Sequence, residues 1–264
     1  MYHNLVINFI IFVSLWSIDI SKTPPTVLDN SADEKPAVIP ENPEILASYT
    51  LWPQSTTNQV VDHTYYRLSY AEKHEQAEWV AYWLTPLMIE GKAKRKNDFR
   101  EDPFITTGSA SLADYKGSGF DRGHLAPAAD FKFDTRAMSE SFYMSNMSPQ
   151  RPSFNRGVWK RLEERVREWA SENDSIFIVT GGVLTGNLYA IGENESTVPD
   201  LYYKIVFYPD KLKATAFILP NDKVVEPLEY FMVTVDSVES ITGIDFFPEL
   251  PDELETRIEG ERGG

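Results

Sequence analysis

The chain reads DRGHLAPAAD at residues 121–130, SNMSPQ at residues 145–150 and FNRGVWKRLE at residues 154–163. Arg122 and His124 are two residues apart, so a strand would place both side chains on one face. A cation beside a titratable imidazole suits a phosphate and the water that attacks it. The alternative is that His124 is a structural histidine. Its glycine-rich and charged neighbours favour the functional interpretation over this one.

A helix is predicted over residues 155–170, which include most of the third stretch. The apolar residues recur at helical spacing and form one stripe: Trp159, Leu162, Val166 and Trp169. Asn155 stands at the start of this helix, where it is either an N-cap or a neutral oxygen ligand for a hard cation such as Mg²⁺. Glu163, two turns on, is either a partner of water around that cation or a surface carboxylate paired with Arg167.

Positive charge is concentrated around the same motif. The whole chain carries 25 Lys and Arg against 40 Asp and Glu, a net charge of −15, whereas residues 92–168 carry 15 basic and 11 acidic residues. The segment contains six guanidinium groups suited to phosphate, although some of them will only belong to mixed-charge surfaces: Arg95, Arg100, Arg122, Arg151, Arg156 and Arg161. The acidic remainder lowers the expectation of a nucleic-acid partner without excluding a local site.

Composition excludes several other chemistries. The 264 residues include no Cys, so disulfides, thiolate metal sites and Cys nucleophiles are absent from the sequence. The sequence has no G-x-S-x-G elbow, P-loop or H-E-x-x-H motif. His63 and His74 are isolated in sequence, and we interpret both as surface or structural residues.

The element pattern predicts an α+β fold with a central, mostly antiparallel sheet flanked by helices. Strands are predicted over residues 65–70, 78–85 and 175–180, and a hairpin over 201–208 and 214–219. Strand and helix do not alternate regularly, which argues against a doubly wound fold. We expect one domain over residues 47–250 and a flexible, acidic tail over residues 251–264.

The N-terminus resembles a targeting segment. Residues 5–18, LVINFIIFVSLWSI, are nearly all apolar, a length that fits a secretory signal better than a membrane span. We therefore expect a signal peptide or anchor over residues 1–20, followed by a proline-rich linker over residues 21–46. The protein would be exported, or tethered to a membrane if the segment stays uncleaved.

The three motif stretches resemble the DNA/RNA non-specific endonuclease family, the group of the Serratia nuclease and endonuclease G within the ββα-metal superfamily. The resemblance covers roughly residues 49–250 and includes WVAYWLT at 79–85 and GIDFFPEL at 243–250. It implies a ββα-metal active-site unit and a metal-dependent endonuclease with little sequence specificity.

The resemblance also implies a role for each matched residue. His124 takes the place of the family's general base, and Arg122 that of a substrate or phosphate contact. Asn155 matches the direct metal ligand and Glu163 the partner of its waters, with Mg²⁺ as the cation and Mn²⁺ as a substitute. Asn146 would lie near the catalytic histidine. The upstream arginine that stabilises the transition state is Arg95 or Arg100, which the spacing does not distinguish. The concentration of basic residues, and not the resemblance, adds Arg100, Arg151 and Arg156 as substrate contacts.

These roles predict hydrolysis of phosphodiester bonds in DNA, RNA or both, through contacts to the phosphate backbone. Membrane contact is expected only with an uncleaved N-terminus, and a homodimer is left open. Two alternatives remain at this point: an exported acidic binding module without catalysis, and a phosphodiesterase for another phosphoester.

Overall fold

The computed structural model describes residues 49–263. The predicted signal segment and linker, residues 1–46, therefore lie outside the described residues. Within residues 49–263, no helix combines the length and apolar character needed to cross a lipid bilayer.

A seven-stranded antiparallel sheet forms the centre of the domain. Eleven strands are present in the described residues: β1 (Val60–Asp62), β2 (Arg67–Ala71), β3 (Gln76–Leu84), β4 (Asp121–His124), β5 (Met147–Gln150), β6 (Ile176–Gly182), β7 (Tyr189–Ile191), β8 (Ser196–Val198), β9 (Leu201–Tyr208), β10 (Lys213–Pro220) and β11 (Met232–Val233). The central sheet has the order β1-β2-β3-β6-β9-β10-β11, while β4 pairs with β5 and β7 with β8. Every strand pair is antiparallel.

Six α-helices flank the sheet in the part of the chain that the structure describes. They are α1 (Pro86–Ile89), α2 (Leu112–Tyr115), α3 (Thr135–Glu140), α4 (Lys160–Glu172), α5 (Val235–Thr242) and α6 (Asp252–Gly260). The central strands are buried on both faces, because alternate residues of each strand belong to two separate cores. On β3, Val80 and Tyr82 pack in the core that contains α4, whereas Trp79 and Ala81 pack in the core that contains α5 and α6.

The predicted α+β class and its main elements are confirmed. The predicted strands correspond to β2, β3 and β6, and the predicted hairpin to β9 and β10, which pair from Leu201 opposite Pro220 to Tyr208 opposite Lys213. The apolar stripe of the predicted helix lies against the sheet, where Trp159, Leu162 and Val166 are buried.

The start of that helix differs from the prediction. Residues Phe154–Trp159 form a π-helical turn, and Gly157 leaves helical geometry with φ −105° and ψ −109°. Regular α-helix begins only at Lys160. A glycine inside a predicted first turn is the physical reason, since it lowers helix propensity and tolerates other backbone angles.

The C-terminal segment, expected to be a flexible tail, is folded as far as the end of α6. Leu254 and Ile258 lie one turn apart on α6 and are buried against the sheet. The sequence prediction gave more weight to the charge of this segment than to these two apolar residues.

Candidate active site

Strands β4 and β5 form a short ladder that leads into the π-helical turn and α4. Asp121 pairs with Gln150 and His124 with Met147. A Cβ at Gly123 would overlap the Gln150 side chain, so only glycine permits this close approach. The resulting strand–strand–helix unit brings the three motif stretches of the sequence together.

His124 is buried beside two aromatic rings. It is 8% exposed, and its ring lies 4.9 Å from the Phe142 centroid and 5.7 Å from that of Phe99. Its Nε2 has no hydrogen-bond partner among residues 49–263. Burial, together with the positive charges of Arg95 and Arg122, lowers the pKa of His124 to about 3. The imidazole is therefore neutral near pH 7, the state that can accept a proton.

Asn146 anchors the loop that follows β4. It is fully buried; its Oδ1 accepts from Ala126 N (2.9 Å), and its Nδ2 donates to Ala126 O (2.9 Å) and Ser141 O (2.8 Å). The backbone oxygen of Asn146 also accepts from Leu125 N at 3.0 Å. Because both ends of the amide are engaged, the side chain positions the His124 loop and does not reach a substrate.

Asn155 and Arg156 converge on Asp121, a residue to which the sequence assigned no role. Asn155 Nδ2 donates to Asp121 Oδ2 at 2.9 Å, and Arg156 makes a two-pronged contact to both carboxylate oxygens, at 2.8 and 2.6 Å. Burial raises the pKa of Asp121, but these hydrogen bonds outweigh it and leave the pKa below its ordinary value.

The geometry does not support the N-cap alternative for Asn155. No side chain caps the turn that begins at Phe154, and the Asn155 amide is held by Asp121. Its Oδ1 accepts no hydrogen bond from the described residues, so a neutral oxygen remains available. This donor set fits a hard cation that keeps most of its waters.

Glu163 lies on α4 within a group of buried charges. It forms no ion pair with Arg167, which instead contacts Asp130 at 2.9 Å, so the predicted i,i+4 pair is absent. Burial and the Asp130 carboxylate raise the pKa of Glu163, against the opposing charges of Lys204 and Arg167. The Lys204 ammonium is itself buried, 4.9 Å from the centroid of the Trp159 ring.

An arginine-rich cleft of about 460 Å³ opens over this unit. Its lining consists of Arg95, Asn97, Phe99, Leu112, Asp121, Arg122 and Arg156. The guanidinium of Arg95 lies 5.0 Å from the Phe142 centroid, and that of Arg122 lies 4.4 Å from the Phe99 centroid. The two rings that contact His124 therefore also orient the two arginines.

Comparison with known proteins agrees with this arrangement. The family model for DNA/RNA non-specific endonucleases matches residues 47–253, more than three quarters of the chain. The chain belongs to this family. The match confirms the family and the function class that the motifs predicted. The family is one of metal-dependent nucleases.

Named members of the family are similar over most of their length. Human mitochondrial endonuclease G is 34% identical over 202 residues, which cover 70% of this chain and 68% of that protein. A nuclease from Nostoc sp. is 34% identical over 77% of this chain and 78% of its own length. The crystal structure of the EndoG/EndoGI complex contains a chain with a TM-score of 0.70 and 30% identity, covering 77% of this chain and 91% of that one.

Not every predicted arginine of this endonuclease domain lies in the cleft. Arg100 donates to Asp98 and to Ser139 and stacks over Tyr143 at 4.1 Å, outside the cleft lining. The prediction of Arg100 as a substrate contact is therefore not supported, because internal partners occupy its donors. Arg95, the other candidate, lines the cleft. Arg151 is exposed and does not line the cleft; its guanidinium lies 5.8 Å from the centroid of the Phe120 ring.

The two isolated histidines, interpreted as surface or structural residues, do not line the cleft. The His63 ring packs against Tyr66 and Tyr143, with its Nε2 3.0 Å from Asp102 Oδ2. His74 Nδ1 lies 3.0 Å from Thr197 Oγ1.

The two rings that shape the site are not among the residues predicted from the sequence motifs. Phe99 and Phe142 lie outside the quoted motif, on segments far apart in the chain, and contact each other at 4.9 Å. The signal for Phe99 is weak: it is the single aromatic residue in the basic stretch at residues 92–100. Lys204 could have been noticed as a lysine in an otherwise apolar strand.

Proposed function

We propose that this domain hydrolyses phosphodiester bonds of DNA, RNA or both in the Arg95–Arg122 cleft, with Mg²⁺ as its cofactor. The observation that carries the proposal is His124, a buried neutral imidazole with an unpartnered Nε2 that packs against the two aromatic rings beneath the cleft arginines. A neutral base next to two cations suits a phosphoanion and an attacking water.

His124 acts as the general base. It removes a proton from the attacking water while the new bond to phosphorus forms and the bond from phosphorus to the leaving oxygen breaks; the leaving oxygen takes up a proton from water. Its low pKa in the empty cleft results first from burial and then from Arg95 and Arg122. An anionic phosphate bound beside both arginines offsets their charge, so the basicity of His124 rises when substrate is present.

Asn155 and Glu163 are the residues that would hold the divalent cation. Asp121 fixes the Asn155 amide through Nδ2 and so presents Oδ1 as the neutral ligand. Glu163, without an ion-pair partner within 4.0 Å among the described residues, would orient water around the cation. When bound, Mg²⁺ supplies electrostatic stabilisation of the negative charge that develops on the phosphate and the leaving oxygen. Mn²⁺, which also favours oxygen ligands, would substitute.

The cleft arginines bind the phosphate backbone. Arg95 and Arg122 are oriented by aromatic rings and make no ion pair within the described residues. Arg95 Nε donates to Asn97 Oδ1 at 2.6 Å, so its terminal NH groups, together with the guanidinium of Arg122, would contact equatorial phosphate oxygens. Arg156 is committed to Asp121 and acts mainly by holding it. Contacts to phosphate carry no sequence information, which predicts cleavage with little base preference.

A nicking assay tests the proposal. Supercoiled plasmid and a structured RNA are incubated with the full-length chain in Mg²⁺, in Mn²⁺ and in EDTA, next to His124→Ala and the exposed control Arg165→Ala. Cleavage of at least one nucleic acid in either metal, lost in EDTA and in His124→Ala but kept in Arg165→Ala, is the expected result.

Two results would contradict it. Retention of DNA in a gel shift without cleavage would favour a binding module on the same fold. Turnover of a small phosphodiester, with both nucleic acids left intact, would favour a different phosphoester substrate.

Export is a separate proposal, supported by the apolar run at residues 5–18. Mass spectrometry of the mature N-terminus tests it. A new N-terminus between residues 15 and 30 in an extracytoplasmic fraction is expected, whereas an intact Met1 in a membrane fraction would favour a tether.

A further inference from the structure

Five carboxylates converge where α5 and α6 meet, on the face of the sheet opposite α4. Asp236 and Glu239 belong to α5, Glu255 and Glu259 to α6, and Asp245 to the loop between them. Carboxylate oxygens of Asp236, Glu239 and Glu259 lie within 4.8 Å of one another, and so do those of Asp245, Glu255 and Glu259. Glu259 belongs to both groups and is their common centre.

Glu259 is the second and decisive observation. The residue is only 7% exposed, and its Oε1 is buried without a hydrogen-bond partner among residues 49–263. A buried carboxylate oxygen without a partner is costly, because it loses its water and gains nothing in return.

The surrounding side chains do not neutralise the Glu259 carboxylate. None of the five carboxylates forms an ion pair within 4.0 Å in the described part of the chain. The one backbone donor found at the cluster, Phe246 N, is 2.9 Å from Glu239 Oε1. The site therefore has excess negative charge and an unused acceptor.

We propose that this cluster binds a hard divalent cation of the Ca²⁺ type, with Glu259 as the ligand shared by its two sides. The donor set consists of oxygens alone, which suits Ca²⁺ and disfavours Zn²⁺. Ligand oxygens around Ca²⁺ lie about 2.3 to 2.6 Å from the ion, so oxygens on opposite sides are about 5 Å apart, comparable to the observed cluster. Ca²⁺ also accepts six to eight ligands in flexible geometry, as five carboxylates from two helices and a loop require.

The cation would fasten α6 to α5 and would not take part in hydrolysis. Both helices pack in the core formed with Phe177, Tyr203 and Phe207, whereas α4 and the cleft lie on the other face of the sheet. Binding to the folded chain alone stabilises it by mass action. The competing explanation is a proton shared between Glu239 and Glu259, which requires no ion.

Calcium binding is measured on full-length protein stripped with EDTA. The Asn155→Ala background removes the proposed catalytic ligand, so that remaining binding reports on the second site. Equilibrium dialysis with radioactive calcium is expected to give about one bound ion, and melting curves a rise of roughly 5 to 10 °C at a hundredfold excess over Kd. Glu259→Gln on this background is expected to abolish both, and Glu253→Gln, an exposed carboxylate on the same helix, to keep both.

A second variant guards against a folding defect in Glu259→Gln. Asp236→Asn combined with Asp245→Asn removes one carboxylate from each side of the cluster and is expected to weaken calcium binding at least tenfold. Unchanged calcium affinity in either cluster variant overturns the proposal. Absence of bound calcium in the Asn155→Ala parent, with Glu259→Gln melting higher in EDTA, overturns it in favour of a shared proton.

Discussion

At the scale of single residues, the site keeps its proposed base, His124, uncharged. His124 is neutral because burial and two arginines oppose its protonation, and the same arginines attract the anion that relieves this opposition. Asn155 is engaged through nitrogen only, which leaves its oxygen for a cation. The two residues should therefore fail in different ways when they are removed.

His124→Ala is expected to lower the cleavage rate about 10²- to 10⁴-fold, the usual range for a general base, with the Mg²⁺ dependence unchanged. Asn155→Ala is expected to shift the Mg²⁺ dependence to higher concentration, so that excess metal restores part of the rate. Rates over a Mg²⁺ series, with melting curves for both variants, provide the measurement. A near-normal rate for His124→Ala would make the histidine structural, and an unchanged Mg²⁺ dependence for Asn155→Ala would place the cation elsewhere.

The depressed pKa of His124 also predicts a pH effect on stability. An unfolded histidine binds its proton near pH 6.5, whereas His124 in the folded chain does so only at about pH 3. The unfolded state therefore binds more protons within this window, and His124 destabilises the fold increasingly as pH falls from 6.5 towards 3.

Relative to wild type, His124→Ala should gain up to about 1.4 kcal/mol of unfolding free energy for each pH unit below 6.5. Urea unfolding of both proteins from pH 8 to pH 4.5 measures the difference. A difference that stays constant over this range would mean that His124 titrates normally in the folded state.

At the scale of elements, the site consists of the β4–β5 ladder and the turn that leads into α4, and residues in the connecting loops hold the two together. Asn146 performs this role for the loop after His124, through three hydrogen bonds from one buried amide. The family resemblance placed it near the base, but only the structure distinguishes a loop anchor from a substrate contact.

Asn146→Ala should therefore lower both stability and rate, without altering the Mg²⁺ dependence. Leaving buried backbone groups unpaired costs about 1 to 3 kcal/mol, and the loop that carries His124 loses its register. Asn173→Ala is the matched control, since this buried amide links Trp169 O and Lys211 at the far end of α4. The control should lose stability but retain the rate of the folded fraction. A normal melting temperature with a lost rate in Asn146→Ala would favour a direct substrate contact.

Elements with strong local patterns could be predicted from the sequence, and those set by distant contacts could not. The apolar stripe of α4 and the β9–β10 hairpin are properties of their own segments, and both are present. The π-helical turn at Phe154–Trp159 has a local signal in Gly157, but the contacts that its Asn155 and Arg156 make to Asp121 span 34 and 35 residues and could not be predicted. The role of Phe99 likewise depends on folding that brings it to His124 and Arg122. Helix α6 shows the opposite case: its local pattern, the apolar pair Leu254 and Ile258, was present in the sequence, but the many charged residues of the segment led to the prediction of a flexible tail.

At the scale of the whole molecule, the net charge opposes the proposed substrate, whereas the segment around the cleft is basic. The net charge is −15, and the five-carboxylate cluster supplies part of its acidic residues on the face of the sheet opposite α4. A polyanion approaching this protein is repelled at long range and attracted only near Arg95 and Arg122. Salt affects the two interactions differently, because long-range repulsion is screened while each neutralised phosphate releases counterions.

The local contacts should dominate the salt dependence. Two available arginines predict that log kcat/KM on duplex DNA falls with log salt at a slope of about −2, since each phosphate contact contributes about −0.9. Arg122→Ala should reduce the slope by about one, because it removes one phosphate contact. Arg165→Ala removes the same charge from an exposed ion pair with Glu168 and should leave the slope unchanged. The measurement is kcat/KM from 20 to 200 mM KCl at fixed Mg²⁺, roughly within the range where such slopes are linear. Equal slopes for the two variants would mean that net charge, and not the cleft, governs binding.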